Sequence, residues 1–151
     1  TINNAGIVTK PYQPAFLLEK NADQSFPATT HTTVSWQVEV YDINSDCSSG
    51  VFTAPVDGRY FLYTQIRFNS LDNNASYQDL KIQTSNRDFR ELIDLGGLGG
   101  DPDYWCLRVT AVADMDAGDT AFVKVYSSGG DNNTSISLDT PRTYFTGYLL
   151  G

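Results

Sequence analysis

Few side chains in this sequence are suited to catalysis, and those few are far apart. The single histidine, His31, lies in a threonine-rich stretch, and the two cysteines are Cys47 and Cys106. One histidine does not make a multi-histidine zinc site, and a cysteine nucleophile needs a base that nothing in the sequence supplies. We therefore predict no catalytic residue, no enzyme activity and a solvated loop position for His31.

The two cysteines permit one disulfide but do not require it. Cys47 lies in a polar loop, whereas Cys106 lies within a predicted strand. The sequence does not show whether their Cα atoms come within the ~7 Å that a bridge needs. A disulfide and two free thiols both stay open, and free thiols are favoured.

Acidic and amide side chains collect in the predicted turns, where recognition loops on a rigid scaffold commonly lie. The candidate ligand-binding residues are Asp72, Asn73, Asn74, Asp101, Asp103 and Tyr104. Among them, Asp101 and Asp103 are the candidate calcium ligands, although a calcium site needs six or more oxygen ligands. Solvated acidic turns are the favoured alternative, so we expect no cofactor other than a possible structural calcium ion.

The glycine-rich stretch Gly96–Gly100 resembles a phosphate-binding loop only superficially. A phosphate-binding loop leads into a helix whose N-terminus faces the anion. Here the chain continues through Asp101-Pro102-Asp103 into a predicted strand. We interpret the stretch as a surface loop and not as a nucleotide site.

Composition favours an all-β domain without a nucleic-acid partner. The 151 residues include 18 acidic and 10 basic residues, a net charge of -8, which argues against nucleic acid as a partner. No apolar run approaches the ~20 residues of a membrane span, so no membrane insertion is expected. Aromatic residues reach 13% and charged residues only 19%, and the gaps are rich in Asn, Asp, Ser, Thr and Gly. This composition is typical of strands joined by turns.

Short strands separated by turn signals predict a sandwich or jelly roll in a single domain. Residues 14–151 form the predicted domain, and residues 1–13 form a predicted N-terminal tail or neck. The predicted strands cover residues 15–19, 34–41, 51–54, 60–68, 77–85, 89–94, 104–113, 120–127 and 143–150.

Apolar patterning divides these strands into two groups. Residues 34–41 alternate apolar with polar, and Leu80 and Ile82 alternate with Asp79 and Lys81. That pattern predicts an outer sheet with one face in solvent. A tryptophan within a strand, such as Trp105, is expected in the core more often than in a sugar-stacking position.

The second group is bulky and apolar on both faces. In the segment 60–63, Tyr60 and Leu62 point one way while Phe61 and Tyr63 point the other. A sheet apolar on both faces would leave a patch larger than monomers normally expose. We infer that this sheet packs against copies of itself, with Phe61, Tyr63, Tyr148 and Leu150 as candidate contacts between subunits.

One segment carries a recognisable signature. Phe52 is followed by Thr53-Ala54-Pro55, a predicted turn at Asp57-Gly58, and then Tyr60. We expect Gly58 to adopt a left-handed backbone in that turn. The pattern Phe-x5-Gly-x-Tyr resembles the signature of the globular head of complement C1q, which belongs to the tumour-necrosis-factor-like jelly rolls.

Three further segments support the resemblance in the expected order. They are Pro14-Ala15-Phe16, Asp116-Ala117-Gly118-Asp119 and the closing segment 144–150. The family favours aromatic residues where Leu62 and Thr64 stand, which indicates a distant member. Some stretches of the sequence, such as residues 84–87, are similar to versions of the domain in tail-fibre or surface proteins of phages and marine microbes. The expected fold-defining residues are Phe16, Phe52, Gly58, Tyr60, Phe145 and Gly147.

The resemblance implies a ten-stranded jelly-roll sandwich of two antiparallel sheets that forms a homotrimer and binds ligands without catalysis. The expected function is a trimeric recognition head at the C-terminus of a fibrous extracellular or virion protein. Its expected partners are its own copies and a surface glycan or protein. The alternatives are a purely structural cap of a fibre and an accessory carbohydrate-binding module of a larger enzyme.

Overall fold

The computed structural model describes residues 1–2, 6, 10–131 and 133–151. Residues 3–5 and 7–9 of the predicted tail lie outside the described residues. The described chain contains one short 3-10 helix, Ile43–Ser45, and is otherwise strands and turns. The strands are β1 (Ala15–Glu19), β2 (Gln24–Ser25), β3 (Thr32–Thr33), β4 (Val38–Asp42), β5 (Cys47–Ser48), β6 (Val51–Thr53), β7 (Gly58–Asn69), β8 (Ala75–Thr84), β9 (Asp88–Asp94), β10 (Tyr104–Met115), β11 (Thr120–Gly129), β12 (Ser135–Ile136) and β13 (Tyr144–Leu149).

The strands form two antiparallel sheets. Sheet I has seven strands with the long β7 at its centre: β10 pairs along one side, and β13 and β12 pair along the other. The sheet continues from β13 through β1 to β4, and from β12 to β2. Sheet II has six strands in the order β5-β6-β11-β8-β9, and β3 also pairs with β11. The two-sheet, all-β architecture is the one predicted, but the sequence did not reveal β2, β3, β5 and β12, each of two residues.

The core lies between the two sheets and is centred on aromatic rings. The Phe16 ring stacks on Phe52 at 4.7 Å between ring centroids and meets Phe145 edge-on at 4.9 Å. The Tyr60 ring lies 5.4 Å from that of Phe52, and its hydroxyl donates a hydrogen bond to the carbonyl oxygen of Val56. All four rings are almost completely buried. Four of the six residues expected to define the fold therefore lie in one cluster.

The predicted strand over residues 34–41 is wrong in its first half. Only residues 38–42 form β4, because residues 34–37 carry the chain from sheet II to sheet I. The Val34 N–H donates to the Val123 carbonyl oxygen of sheet II, and the Gln37 N–H donates to the Glu19 carbonyl oxygen of sheet I. The apolar alternation arose because Val34 and Trp36 are buried in this crossing.

A buried lysine lies next to the crossing. The Lys20 ammonium donates hydrogen bonds to the Ser35 carbonyl oxygen at 2.8 Å and to Gln24 Oε1 at 3.2 Å. Burial lowers the pKa of Lys20 from 10.5 to about 8, against a smaller opposing effect of Asp23. These bonds tie the end of β1 to the crossing segment.

The prediction that β8 has one solvated face is also wrong. Asp79 and Lys81 are almost as buried as Leu80 and Ile82 on the opposite face. Asp79 accepts from the Arg90 guanidinium at 2.5 Å, and the Lys81 ammonium donates to Asp88 at 2.7 Å. Because β8 is flanked by β11 and β9, long neighbouring side chains cover its polar face.

The structure gives Gly58 a different role from the one predicted. Gly58 is the first residue of β7 and does not adopt a left-handed backbone. A Cβ placed there would lie 2.7 Å from Cδ1 of Leu149. The glycine therefore leaves room for the end of the Leu149 side chain at the end of β13 and is not needed for the turn. The core expectation for Trp105 is wrong as well, since 38% of this residue is exposed at the start of edge strand β10.

Candidate functional site

The outer face of sheet I, which points away from the core, carries an apolar region on β7 and its neighbours. Directly opposed residues of antiparallel strands share a face, so the strand register gives rows of side chains. The first row contains Val112, Phe61, Tyr148 and Ala15. The second row contains Thr110, Tyr63, Thr146 and Leu17. We call these two rows, together with Leu150, the apolar half of the face.

Large side chains of the apolar half are exposed. The Phe61 and Tyr148 rings lie 5.2 Å apart, and 43% of Tyr148 and 55% of Val112 are accessible to solvent. Leu150 follows β13, and its N–H donates to the Arg59 carbonyl oxygen, which continues the pairing of β13 with β7. The candidate contact residues Phe61, Tyr63, Tyr148 and Leu150 thus lie together on one surface.

Beyond the apolar half, the same face becomes polar. The side-chain oxygen of Gln65 accepts hydrogen bonds from Arg108 Nε at 2.6 Å and from the Tyr63 hydroxyl at 3.3 Å. Its amide nitrogen donates to the Arg142 carbonyl oxygen at 3.1 Å. Burial, followed by a hydrogen bond with Tyr144, raises the pKa of Tyr63. Gln65 therefore lies where the apolar half ends, and its hydrogen bonds join Tyr63 of the apolar half to Arg108 and to the backbone of Arg142.

Two arginines share one acid in the polar half. Asp139 Oδ2 accepts from Arg67 Nη1 at 2.5 Å and from Arg142 Nη1 at 2.6 Å. The hydrogen bond from Arg67, followed by that from Arg142, lowers the pKa of the Asp139 carboxyl. The Arg67 guanidinium also lies 4.1 Å above the centroid of the Tyr104 ring. We call Gln65, Arg67, Arg108, Asp139 and Arg142 the polar half of the face.

The sequence contained no signal for the polar half. Arg67 and Asp139 are 72 residues apart, and no motif links them. Only the pairing of β13 and β12 with β7 brings residues 135–144 beside residues 65–69. Of the candidate ligand-binding residues, Tyr104 alone reaches this region, and it is the first residue of β10, where the predicted strand over residues 104–113 also begins.

The other nominated loop residues lie close to one another at one end of the sandwich. The Asp72 carboxylate accepts from the N–H groups of Asn74 and Asp131, and Asp72 is only 2% exposed. Asp101 Oδ1 accepts from the Asn73 N–H at 2.8 Å. These carboxylates therefore link three loops.

Asp103 belongs to the same group through its backbone, because its carbonyl oxygen accepts from the Ser70 N–H at 3.0 Å. Within the part of the chain that the structure describes, no three His, Cys, Asp or Glu side chains come together as a metal site. Calcium binding at Asp101 and Asp103 stays a prediction.

The groups considered for catalysis lie apart. The His31 ring packs 4.5 Å from the Tyr126 ring on the outer face of sheet II, and partial burial, followed by the charge of Lys81, lowers its pKa. Cys47 and Cys106 are free thiols on different sheets, which answers the question of the disulfide. Cys47 is buried, and its burial raises the pKa of the thiol.

Comparisons with known proteins find similar structures but no similar sequence. The sequence matches no protein-family model and no curated protein. Murine APRIL is similar in structure, with a TM-score of 0.67 and 19% identity over 91% of this chain and 99% of that one. The globular domain of zebrafish complement 1qA is similar with a TM-score of 0.60 and 17% identity over 92% of this chain and 98% of that one.

At these identities the likeness concerns the fold. No helix among the described residues is long and apolar enough to cross a membrane. The predicted jelly roll is confirmed, since the chain shares its fold with murine APRIL and with the globular domain of zebrafish complement 1qA.

Proposed function

We propose that the chain is a non-enzymatic homotrimeric head of a fibrous extracellular or virion protein, which trimerises the fibre and binds a surface ligand. The exposed apolar half of sheet I is the observation that carries this proposal. The number three is what the resemblance to C1q-like and tumour-necrosis-factor-like heads implies, because an apolar surface alone does not set a subunit number.

The apolar half exposes more adjacent apolar side chains than is usual for a surface that stays in contact with water. Tyr148, Leu150 and Val112 are each between 43% and 55% exposed, and Phe61 and Tyr63 extend the same surface between them. Complete burial of a fully exposed apolar side chain contributes about 1.5–3 kcal/mol, so each of these half-exposed side chains would contribute about half of that to an assembly. A stable interface needs ~800 Å² from each partner. Several adjacent aromatic and aliphatic side chains on a rigid sheet provide the centre of such an interface.

Self-association is testable by light scattering after size exclusion. The expected mass is three times the 16.7 kDa of one chain. Phe61→Lys combined with Tyr148→Lys should give the mass of one chain, because two buried charges without partners oppose assembly. Phe122→Lys is the matched control: Phe122 is a half-buried aromatic residue on the outer face of sheet II, opposite Gln83. A monomeric parent protein contradicts the proposal.

Two other functions remain as alternatives. A purely structural cap of a fibre would trimerise without binding a ligand, and a glycan array without hits would favour it. An accessory carbohydrate-binding module would bind sugar, but the full-length gene would then encode a catalytic domain. The arginine cluster of the polar half favours recognition over a cap, because a cap has no need of unneutralised cations.

A further inference from the structure

A cavity opens at the polar end of the outer face of sheet I. Its volume is about 430 Å³, and it is lined by Arg67, Tyr104, Trp105, Cys106 and Arg142. Pockets of 300–1,000 Å³ with convergent polar groups are of the size that holds a small ligand. The cavity is separated from the apolar half by the Gln65 hydrogen bonds, so assembly through the apolar half and binding here involve different residues.

The charge of the cavity is positive in a chain whose net charge is -8. Arg67 and Arg142 both bond to a single oxygen of Asp139, so one carboxylate faces two guanidinium groups. A guanidinium has five N–H donors, and the bond to Asp139 uses one from each. Arg142 has 57% of its side chain exposed. A structural link between β7 and the turn before β13 needs only one of these arginines.

The Tyr104 ring lies beside the Arg67 guanidinium, and Trp105, the next residue of β10, also lines the cavity. Tyr104 is 65% exposed although Arg67 packs against its ring, and Trp105 is 38% exposed. Aromatic side chains present a large rigid apolar surface together with a polar atom. The apolar C–H face of a pyranose ring is a suitable partner for such a surface, whereas an inorganic anion would have no use for it.

We infer that this cavity binds a sugar that carries a carboxylate or a sulfate group. The anionic group bonds to N–H donors of Arg67 and Arg142 that Asp139 does not use, and the pyranose ring packs against Tyr104. The inference rests on the proposed recognition function and names the class of its ligand. Three copies in a trimer would increase the avidity for a polysaccharide that presents many such groups.

Titration calorimetry with three small probes tests the inference. Methyl glucuronide supplies the carboxylate, galactose 6-sulfate supplies the sulfate, and methyl glucoside is the neutral control. We expect one or both anionic sugars to bind, with an affinity that falls as salt is added, and no binding of the neutral sugar. Fluorescence of Trp105 should change on binding, whereas Trp36 is buried and should not respond.

Variants separate this inference from the proposed function. Arg142→Gln should weaken binding of the anionic sugar roughly tenfold or more, because a charge-assisted hydrogen bond is lost. Tyr104→Ala should weaken it as well. Arg59→Gln, an exposed arginine at the opposite end of β7, should change nothing.

The binding results that would overturn the inference are no binding of either anionic sugar, equal binding of the neutral sugar, and unchanged binding by Arg142→Gln. Light scattering on the same variants completes the test. If Arg142→Gln dissociates the trimer, the arginines are interface residues, and the inference fails while the proposed trimer stands.

Discussion

Replacement of Gly147 by alanine is the sharpest test of how the core of this domain is packed. Gly147 lies in β13 between β1 and β7, opposite Phe16 and Leu62. A Cβ at this position would lie 2.7 Å from Leu62 Cδ2 and 2.8 Å from Phe16 Cε1. Both neighbours are completely buried, so neither can move without displacing the core.

The expected cost follows from this geometry. Overpacking a well-packed core typically costs about 1–3 kcal/mol. For a chain of this length, each kcal/mol lowers the melting temperature by about 2–4 °C, so Gly147→Ala should lower it by roughly 2–12 °C. Gly58→Ala should cost less, since its Cβ would meet only the end of the half-buried Leu149 side chain. Gly97→Ala is the control, because nothing lies within 4 Å of its Cβ.

Thermal and urea unfolding at one fixed protein concentration measure these differences, since the stability of an oligomer depends on concentration. Phe16→Leu in the Gly147→Ala background tests the cause. If the aromatic ring is the obstacle, the double variant should lose less stability than the sum of the single variants. A Gly147→Ala protein that melts with the Gly97→Ala control would refute the packing argument.

The remaining predictions concern pH and calcium. Because the pKa of Lys20 is about 8 in the folded chain and 10.5 in the unfolded chain, the unfolded state binds more protons between these values. Stability should therefore contain a contribution that rises from about pH 8 to pH 10.5, and Lys20→Met should remove it; identical profiles for both proteins would contradict the assignment. A calcium site at Asp101 and Asp103 would raise the melting temperature at about 1 mM Ca²⁺ in the parent protein but not in Asp101→Asn. A melting temperature unchanged by calcium and by chelator would exclude the site.

The overall fold was predictable because local patterns and a signature agreed on it. The bulky residues on both sides of the segment 60–63 identified the central strand of sheet I, and the Phe52–Tyr60 signature identified the jelly roll. The polar half was not predictable, because Arg67 and Asp139 meet only through strand pairing between distant segments.

Two errors have local physical causes. Asp79 and Lys81 looked solvated because their ion pairs with Arg90 and Asp88 depend on the neighbouring strand β9. The role of Gly58 was misassigned because sequence shows the turn but not Leu149 packed against it.

The two differences from the C1q-like signature, at Leu62 and Thr64, also have a physical explanation. Both side chains are completely buried, and the Thr64 hydroxyl donates to the Tyr144 carbonyl oxygen at 3.0 Å. A threonine at this position thus adds a bond between β7 and β13 where an aromatic ring would add volume.

The pairing of β1 with β13 has a consequence for how the chain is made. Thr146 donates its hydroxyl hydrogen bond to the Phe16 carbonyl oxygen across 130 residues. At 5–20 residues per second, a ribosome needs roughly 7–26 s to synthesise the interval between them. During that time β1 has no β13 to pair with, and its apolar residues Phe16 and Leu18 lack their final cover. Sheet I can therefore close only after β13 has been synthesised.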